Sequence, residues 1–168
     1  PITLTQSGGT VASTTIYVRM NSTTLGLNSG NIANTSTGAT TKNVALTGNV
    51  LAPEPTVQST ITIGAVTNST VVVNFSGGNG ARRILLAKLA SAVNSDPVDG
   101  TTYSANANFG SGTQIGTGNY VVYDATGNTQ LVTGLTAGAT YHFAIYEYNN
   151  GGVAGAENYL VPGGVNNA

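Results

Sequence analysis

The sequence predicts an all-β protein made of antiparallel β-sandwich modules, the first of them incomplete. Apolar and polar residues alternate with a period of two along much of the chain, which is typical of strands with one buried face. Short clusters of Gly, Asn and Ser interrupt the alternation at the spacing expected of turns. Residues 135–149 add the pattern of a sandwich strand that is entered through a tyrosine corner.

The alternating runs give the first predicted strands in chain order, and the clusters between them give the predicted turns. The clusters are residues 7–9, 28–30, 77–80 and 126–128. The apolar positions of the runs are Ile2 and Leu4; Ile16, Val18 and Met20; Val44 and Leu46; Ile61 and Ile63; and Val71, Val73 and Phe75.

Residues 81–93 (ARRILLAKLASAV) fit two descriptions. The segment is rich in helix formers, and its apolar positions match a helical period about as well as a strand period. We predict a strand at residues 82–89, because the segment follows a Gly-rich turn directly after the strand that ends at Phe75. A helix over the same residues is the alternative.

The tyrosine corner is predicted from Leu135 and Tyr141, which flank a turn that contains Gly138. Tyr141, Phe143 and Ile145 then alternate as the buried positions of one strand. In a β-sandwich the ring of such a tyrosine packs at the edge of the core, and its hydroxyl bonds to the backbone a few residues upstream.

Residues 53–56 are predicted to be a linker, because Pro53 and Pro55 lack backbone donors and stiffen the chain. Residues 57–168 are close in size to one sandwich of ~100 residues. Residues 1–52 offer too few strands for a sandwich, and a small sheet alone buries too little apolar surface to be stable. We therefore predict a partial sandwich at residues 1–52 and a whole one at residues 57–168.

The composition excludes several classes of function. Charged residues make up only 7% of the chain, against about 25% in average soluble domains. The net charge is −1 and no basic patch is present, which argues against nucleic-acid binding. Cysteine is absent, so disulfides and thiolate metal sites are excluded. The polar surface must come from Thr, Ser, Asn and Gln, a composition common in extracellular β-proteins.

Candidate catalytic residues are few. His142 is the only histidine, and it lies between Tyr141 and Phe143, so it points to the opposite face of their strand. No Gly-x-Ser-x-Gly elbow accompanies it. The acidic residues are scattered, and the chain has no Trp to line a sugar-binding cleft. We expect no enzymatic activity, no cofactor and no required metal.

Asp96 and Asp99 leave two interpretations open. The Asp-Pro and Asp-Gly pairs in residues 96–100 are both favoured in turns. The same two carboxylates could contribute to a calcium site, although calcium takes six to eight oxygens and no third acidic residue is near in the sequence.

Two groups of residues form a candidate interaction surface. An incomplete first module would leave its apolar face open to water, so a neighbouring subunit or further strands of the same polypeptide must cover it. Tyrosine is enriched at protein interfaces, and Tyr146 and Tyr148 share one face of their strand. The residues of the open apolar face are Ile16, Val18, Met20, Val44 and Leu46.

The chain resembles a pair of modules found in secreted surface proteins of Bacteroidota-type bacteria. Residues 56–168 resemble a fibronectin type III-like domain, although such domains often carry Trp where Phe75 stands. Residues 1–52 are similar to the carboxy-terminal half of an immunoglobulin-like repeat. The matching segments are 75–83 (FSGGNGARR), 96–103 (DPVDGTTY), 109–112 (FGSG), 120–123 (YVVY) and the tyrosine-corner run, and, in the first module, 7–12 (SGGTVA), 15–19 (TIYVR) and 44–48 (VALTG).

This resemblance implies export by type IX secretion and a place in adhesins, surface fibres or multidomain enzymes. Modules of this kind carry no catalytic residues of their own. From it we expect a non-catalytic structural module of an extracellular surface or filamentous protein, with copies of itself or adjacent modules of the same polypeptide as partners. The alternative is an accessory or spacer module of a secreted multidomain enzyme.

Overall fold

The computed structural model describes residues 2–167, which form ten β-strands and no helix. Every strand pairing is antiparallel, and the prediction of an all-β fold is confirmed. The strands are β1 Gly26–Asn34, β2 Lys42–Val50, β3 Thr60–Val66, β4 Val71–Ser76, β5 Arg82–Leu89, β6 Asn119–Ala125, β7 Thr129–Val132, β8 Tyr141–Asn149, β9 Asn158–Tyr159 and β10 Gly164–Asn167.

Strands β3 to β10 form a sandwich of two sheets. One sheet has the order β3-β4-β7, and the other has the order β10-β8-β5-β6 with β9 paired to the end of β8. The inner faces of both sheets meet in one apolar core, to which β4 and β8 contribute most of the large side chains. The buried members of this core are Ile61, Val71, Val73, Phe75, Leu85, Ala87, Val122, Tyr123, Val132, Tyr141, Phe143 and Ile145.

Strand β5 occupies the predicted residues, and the helical alternative is excluded there. Its side chains at residues 83–87 are all buried, because the sheet is covered on both faces. Residues 90–118 cross the outer face and place Ile115, Val93 and Tyr103 against it. A strand buried on both faces reads as a continuous apolar run, which explains why its sequence also matched a helical period.

The amino-terminal part of the chain departs from the prediction. Residues 2–24 contain no strand, only a bridge between Ser7 and Thr10, so the strands predicted at Ile2–Leu4 and Ile16–Met20 are wrong. A period-two pattern forms a strand only where another backbone pairs with it, and no strand pairs with this segment among the described residues. Conversely, the turn predicted at residues 28–30 is wrong, because these residues pair with residues 46–48 inside β1.

The tyrosine corner forms the hydrogen bond between tyrosine hydroxyl and upstream backbone that the sequence predicts. The backbone N–H of Thr136 donates a hydrogen bond of 3.1 Å to the hydroxyl of Tyr141. The ring of Tyr141 is buried and meets Phe109 edge to face at 5.0 Å between centroids, while Leu135 packs against the same core. The corner therefore fixes the start of β8 against the inter-sheet core.

The proline segment is held against the sandwich. The N–H of Ala52 donates to the carbonyl of Ala156 at 2.9 Å. Asn158 and Asn149 donate from their side-chain amides to the carbonyls of Ala52 and Pro53, each at 2.7 Å. These contacts set the direction in which the chain leaves β2 and enters the sandwich.

A buried ion pair closes one end of the inter-sheet core. Glu147 of β8 is fully buried, and its register partner Arg83 of β5 is only 8% exposed. Arg83 Nε lies 2.9 Å from Oε1 of Glu147 without the alignment of a hydrogen bond, and Nη2 donates to Oε2 at 3.4 Å. Nη1 donates to the carbonyl of Gly127 and to Oδ1 of Asn128. The guanidinium thus links β5, β8 and the β6–β7 turn.

The turn between β4 and β5 is shaped around the Glu147 carboxylate. Gly80 donates its N–H to Oε2 at 2.9 Å, and the Ser59 hydroxyl donates to Oε1 at 2.5 Å. A Cβ atom on Gly78 would overlap the carboxyl group of Glu147, and one on Gly80 would lie 2.8 Å from Oε2. The glycines of this turn are therefore required by the space that Glu147 occupies.

We expect Gly78→Ala to lower the free energy of unfolding by about 2–3 kcal/mol, because the added methyl group displaces a buried, paired carboxylate. The measurement is chemical denaturation of both proteins. Gly30→Ala is the control, because a Cβ there meets nothing within 4 Å, and we expect a change within about 0.5 kcal/mol. Equal effects of the two substitutions would contradict this role of Gly78.

Candidate functional site

The β1–β2 hairpin is an amphipathic sheet of two strands. Residues directly opposite each other share a face, and Ile32 lies opposite Val44 while Gly30 lies opposite Leu46. Val50 continues the same face opposite Gly26. The other face carries Asn, Ser, Thr and Ala side chains, with Leu27 at its end. The apolar residues Ile32, Val44, Leu46 and Val50 therefore share one face, which we call the hairpin face. Asn28, Asn34 and Lys42 lie on the same face at other positions.

The hairpin face is open to solvent. Val44 is 52% exposed and Leu46 is 36% exposed. Residues 18–22 run across one end of it, where they line a groove together with residues 28–30 and 46–48. The side chain of Met20 lies directly over Gly48, which has no Cβ to prevent this approach. The segment covers only part of the face.

The five predicted apolar residues of the first module are all exposed. Ile16, Val18 and Met20 lie between 42% and 53% exposed, in the segment that precedes β1. Val44 and Leu46 lie on the hairpin face. Ile32 and Val50 also belong to this face, although the sequence does not predict it: the Asn, Ser and Gly residues before Ile32 favour a turn, and Val50 directly precedes the predicted proline linker. The pairing of β1 with β2 is the observation that reveals them.

Tyr146 and Tyr148 are not surface residues, and their assignment to an interaction surface is wrong. They are 2% and 3% exposed. Both rings lie on the outer face of the β5–β8 sheet, under residues 90–118, in a second apolar core. The Tyr148 ring contacts the Tyr159 ring at 4.8 Å between centroids. The alternation in the sequence predicts that both tyrosines share one face of β8, but it does not predict the loop that covers this face.

The hydroxyls of these tyrosines bond to acidic residues. The Tyr146 hydroxyl donates to Oδ1 of Asp96 at 2.8 Å. The Tyr148 hydroxyl donates to Oδ1 of Asp124 at 2.6 Å and accepts from Nε of Arg82 at 2.7 Å. Arg82 and Asp124 also form an ion pair of 3.0 Å. The outer core is thus bounded by a polar layer that fixes the covering loop.

The carboxylates of residues 96–100 act within this layer. Asp99 accepts a hydrogen bond of 2.8 Å from the N–H of Tyr159, and Gly100 adopts a positive φ of 70° in the turn. The buried carboxylate of Glu157 accepts from the Thr102 hydroxyl and from the N–H of Gly155. Within residues 2–167, no group of three or more His, Cys, Asp or Glu side chains is arranged to hold a metal ion. These contacts favour the turn interpretation of Asp96 and Asp99.

His142 is half-buried at the start of β8, opposite Lys88 in the neighbouring strand. It alternates with Ala144 and Tyr146, so it belongs to the outer face of the sheet, as its position between Tyr141 and Phe143 predicted.

Burial raises the pKa of three tyrosines well above the ordinary value. For Tyr146 and Tyr148, hydrogen bonds to Asp96 and Asp124 raise the pKa further, because a carboxylate acceptor favours the protonated phenol. The pKa of Tyr159 is raised by burial and then by its neighbours Tyr148 and Glu157. Forming a phenolate in this outer core therefore requires the core to open.

We expect the protein to lose stability above about pH 10, the ordinary pKa of tyrosine. A tyrosine whose pKa is raised by folding stabilises the native state fully below that pH, and the contribution falls as pH rises through the folded-state pKa. The measurement is a tyrosinate absorbance titration. Three of the eight tyrosines should ionise only as the protein unfolds, whereas all eight should titrate together in denaturant. Superimposed native and denatured curves would contradict the prediction.

Comparisons with known proteins do not show a family for this chain. No family model and no curated protein matches the sequence. Among solved structures, the chain is similar to domains d3–d4 of the extracellular region of rat CD45, with a TM-score of 0.35 and 14% sequence identity. The similarity covers 88% of this chain and 70% of that chain. Within the described residues, no helix is long and apolar enough to cross a membrane.

Proposed function

We propose that this chain is a non-catalytic structural module of an extracellular surface or filamentous protein. It works through contacts with further copies of itself or with adjacent modules of the same polypeptide. The observation that carries the proposal is the hairpin face, an apolar sheet surface that this chain leaves half-exposed.

The hairpin is suited to accept another strand or sheet. An isolated two-stranded hairpin is at best marginally stable in water, so a covering surface stabilises it. Its outer edges carry no further strand among the described residues. Proteins that avoid pairing at such edges use Pro, bulges or charged side chains. Neither β1 nor β2 contains Pro, and Lys42 is their only charged residue.

The charge of this region favours close contact between modules. Residues 2–50 contain two charged side chains, Arg19 and Lys42. Repulsion between stacked copies is small when so few charges are present. The Thr, Asn and Ser side chains around the hairpin face can form hydrogen bonds across a contact without the cost of burying charge.

The acidic side chains of the sandwich bond to other groups of the same chain and stabilise its fold. Asp96, Asp99 and Asp124 hold the loop over the outer core, while Glu147 and Glu157 are buried and bonded to backbone and hydroxyl donors. Five of the six acidic residues of the chain therefore have structural partners. This arrangement supports a load-carrying or spacing role.

The second candidate function is an accessory or spacer module of a secreted multidomain enzyme. The hydrogen bonds of Ala52 and Pro53 to the sandwich favour it, because they fix the join between hairpin and sandwich instead of leaving a flexible linker. A rigid join sets the distance and orientation between neighbouring domains. The charge-poor, cysteine-free composition agrees with the extracellular location in both proposals.

We expect the chain to self-associate with rising concentration in sedimentation velocity experiments, because association covers the hairpin face. Val44→Thr together with Leu46→Thr should weaken the association by roughly tenfold or more, since each change removes apolar burial. Thr retains a high β-propensity, so the hairpin should persist.

The matched control is Ala33→Thr together with Ala45→Thr, which places the same side chain on the opposite face of the hairpin, once in each strand. We expect this variant to associate as the unmodified chain does. A chain that stays monomeric at all concentrations would rule out contacts between copies. Equal weakening by both variants would show that the hairpin face is not the contact.

A further inference from the structure

The chain contains two Asn-Gly pairs, Asn79-Gly80 and Asn150-Gly151, which the fold treats differently. Asn followed by Gly is the dipeptide most prone to spontaneous deamidation, because glycine leaves the following amide nitrogen sterically free. We propose that Asn150 is a site of spontaneous deamidation in the native protein, and that the structure protects Asn79.

The reaction needs water and no other reactant. The backbone nitrogen of the following glycine loses its proton and attacks the side-chain Cγ of Asn. A C–N bond forms, the bond from Cγ to the amide nitrogen breaks, and ammonia leaves with the proton it needs. Water then opens the five-membered imide at either carbonyl, which gives Asp or isoaspartate. No atom is oxidised or reduced.

The turn at Asn150 favours this attack. Asn150 opens a tight turn in which Val153 donates its N–H to the Asn150 carbonyl at 3.0 Å, and Gly151 and Gly152 have positive φ values of 58° and 79°. The N–H of Gly152 donates to Oδ1 of Asn150 at 3.0 Å. This bond holds the side chain over the backbone that follows it.

The attacking nitrogen at this turn is also free. Within the described part of the chain, the N–H of Gly151 has no hydrogen-bond acceptor. Deprotonation of this nitrogen therefore breaks no bond of the folded protein.

Asn79 is held in the opposite arrangement. Its Oδ1 accepts hydrogen bonds from the N–H groups of Thr56 and Val57 at 3.0 and 2.9 Å, and its Nδ2 donates to the Thr56 hydroxyl at 2.9 Å. The N–H of Gly80 donates to the buried carboxylate of Glu147. Attack would break four hydrogen bonds and form an anionic nitrogen beside that carboxylate.

Solvent exposure alone would predict that Asn79 deamidates faster than Asn150. Exposure and hydrogen bonding therefore make opposite predictions for these two residues. Asn79 is exposed, whereas Asn150 is only half-buried. If exposure set the rate, Asn79 would react first. The hydrogen bonds of the two residues, not their access to water, distinguish them.

Deamidation at Asn150 would alter the junction between hairpin and sandwich. Gly151 lies directly against the side chain of Leu25, and Val153 lies against Gly26 at the start of β1. The product adds a negative charge at this junction, and isoaspartate adds a methylene group to the backbone of the turn. The fraction of chains deamidated at Asn150 therefore increases with the time since synthesis, and the change falls at the junction between hairpin and sandwich.

The experiment is incubation of the intact folded chain in mildly alkaline buffer, followed by proteolysis and mass spectrometry of both Asn-Gly peptides. A parallel sample is incubated in denaturant, where both pairs lose their structure. The Asn150→Asp variant supplies the authentic product peptide, and the Asn150→Gln variant supplies a chain that cannot react at this position by the five-membered route.

In the folded sample we expect Asn150 to deamidate at least tenfold faster than Asn79. In denaturant the two rates should become equal within about twofold, since both have the same following residue. The proposal is overturned if Asn79 reacts as fast as Asn150 in the folded chain. It is also overturned if Asn150 stays intact there while reacting in denaturant.

Discussion

The carboxylate of Glu147 is the group on which the architecture of the sandwich most depends. Burying an ion is costly unless every oxygen has a partner, so the chain surrounds this carboxylate with an arginine, a serine hydroxyl and a backbone N–H. The partners come from β5, from the start of β3 and from the β4–β5 turn. Each of these elements is thereby fixed relative to β8, and the glycines of the turn are dictated by the same group.

Much of the sandwich could be predicted from the sequence, because its strands have a buried face and defined turns. The tyrosine corner at Tyr141, the strand at residues 82–89 and the turn at residues 77–80 follow from local patterns. The burial of Tyr146 and Tyr148 could not be predicted, since it depends on residues 90–118, which fold over the sheet from a distance and have no periodic pattern of their own.

The hairpin region shows where prediction from the sequence fails. Alternation at Ile16–Met20 matched a strand, but a strand exists only where another backbone pairs with it, and the sequence pattern does not reveal whether a partner is present. Residues 28–30 look like a turn because Asn, Ser and Gly favour turns, yet their pairing with β2 holds them extended. The apolar face was predicted correctly at Val44 and Leu46 and incompletely elsewhere.

Residues 90–118 also restrict how such modules can be arranged in space. By covering the outer face of the β5–β8 sheet, they keep the side chains of that face from direct contact with a neighbouring module. The hairpin is joined at the end of the sandwich where β8 finishes, next to Gly151 and Val153. Contacts made through the hairpin would therefore start from that end of the sandwich, while a neighbour at the outer face would meet residues 90–118 and not the sheet itself.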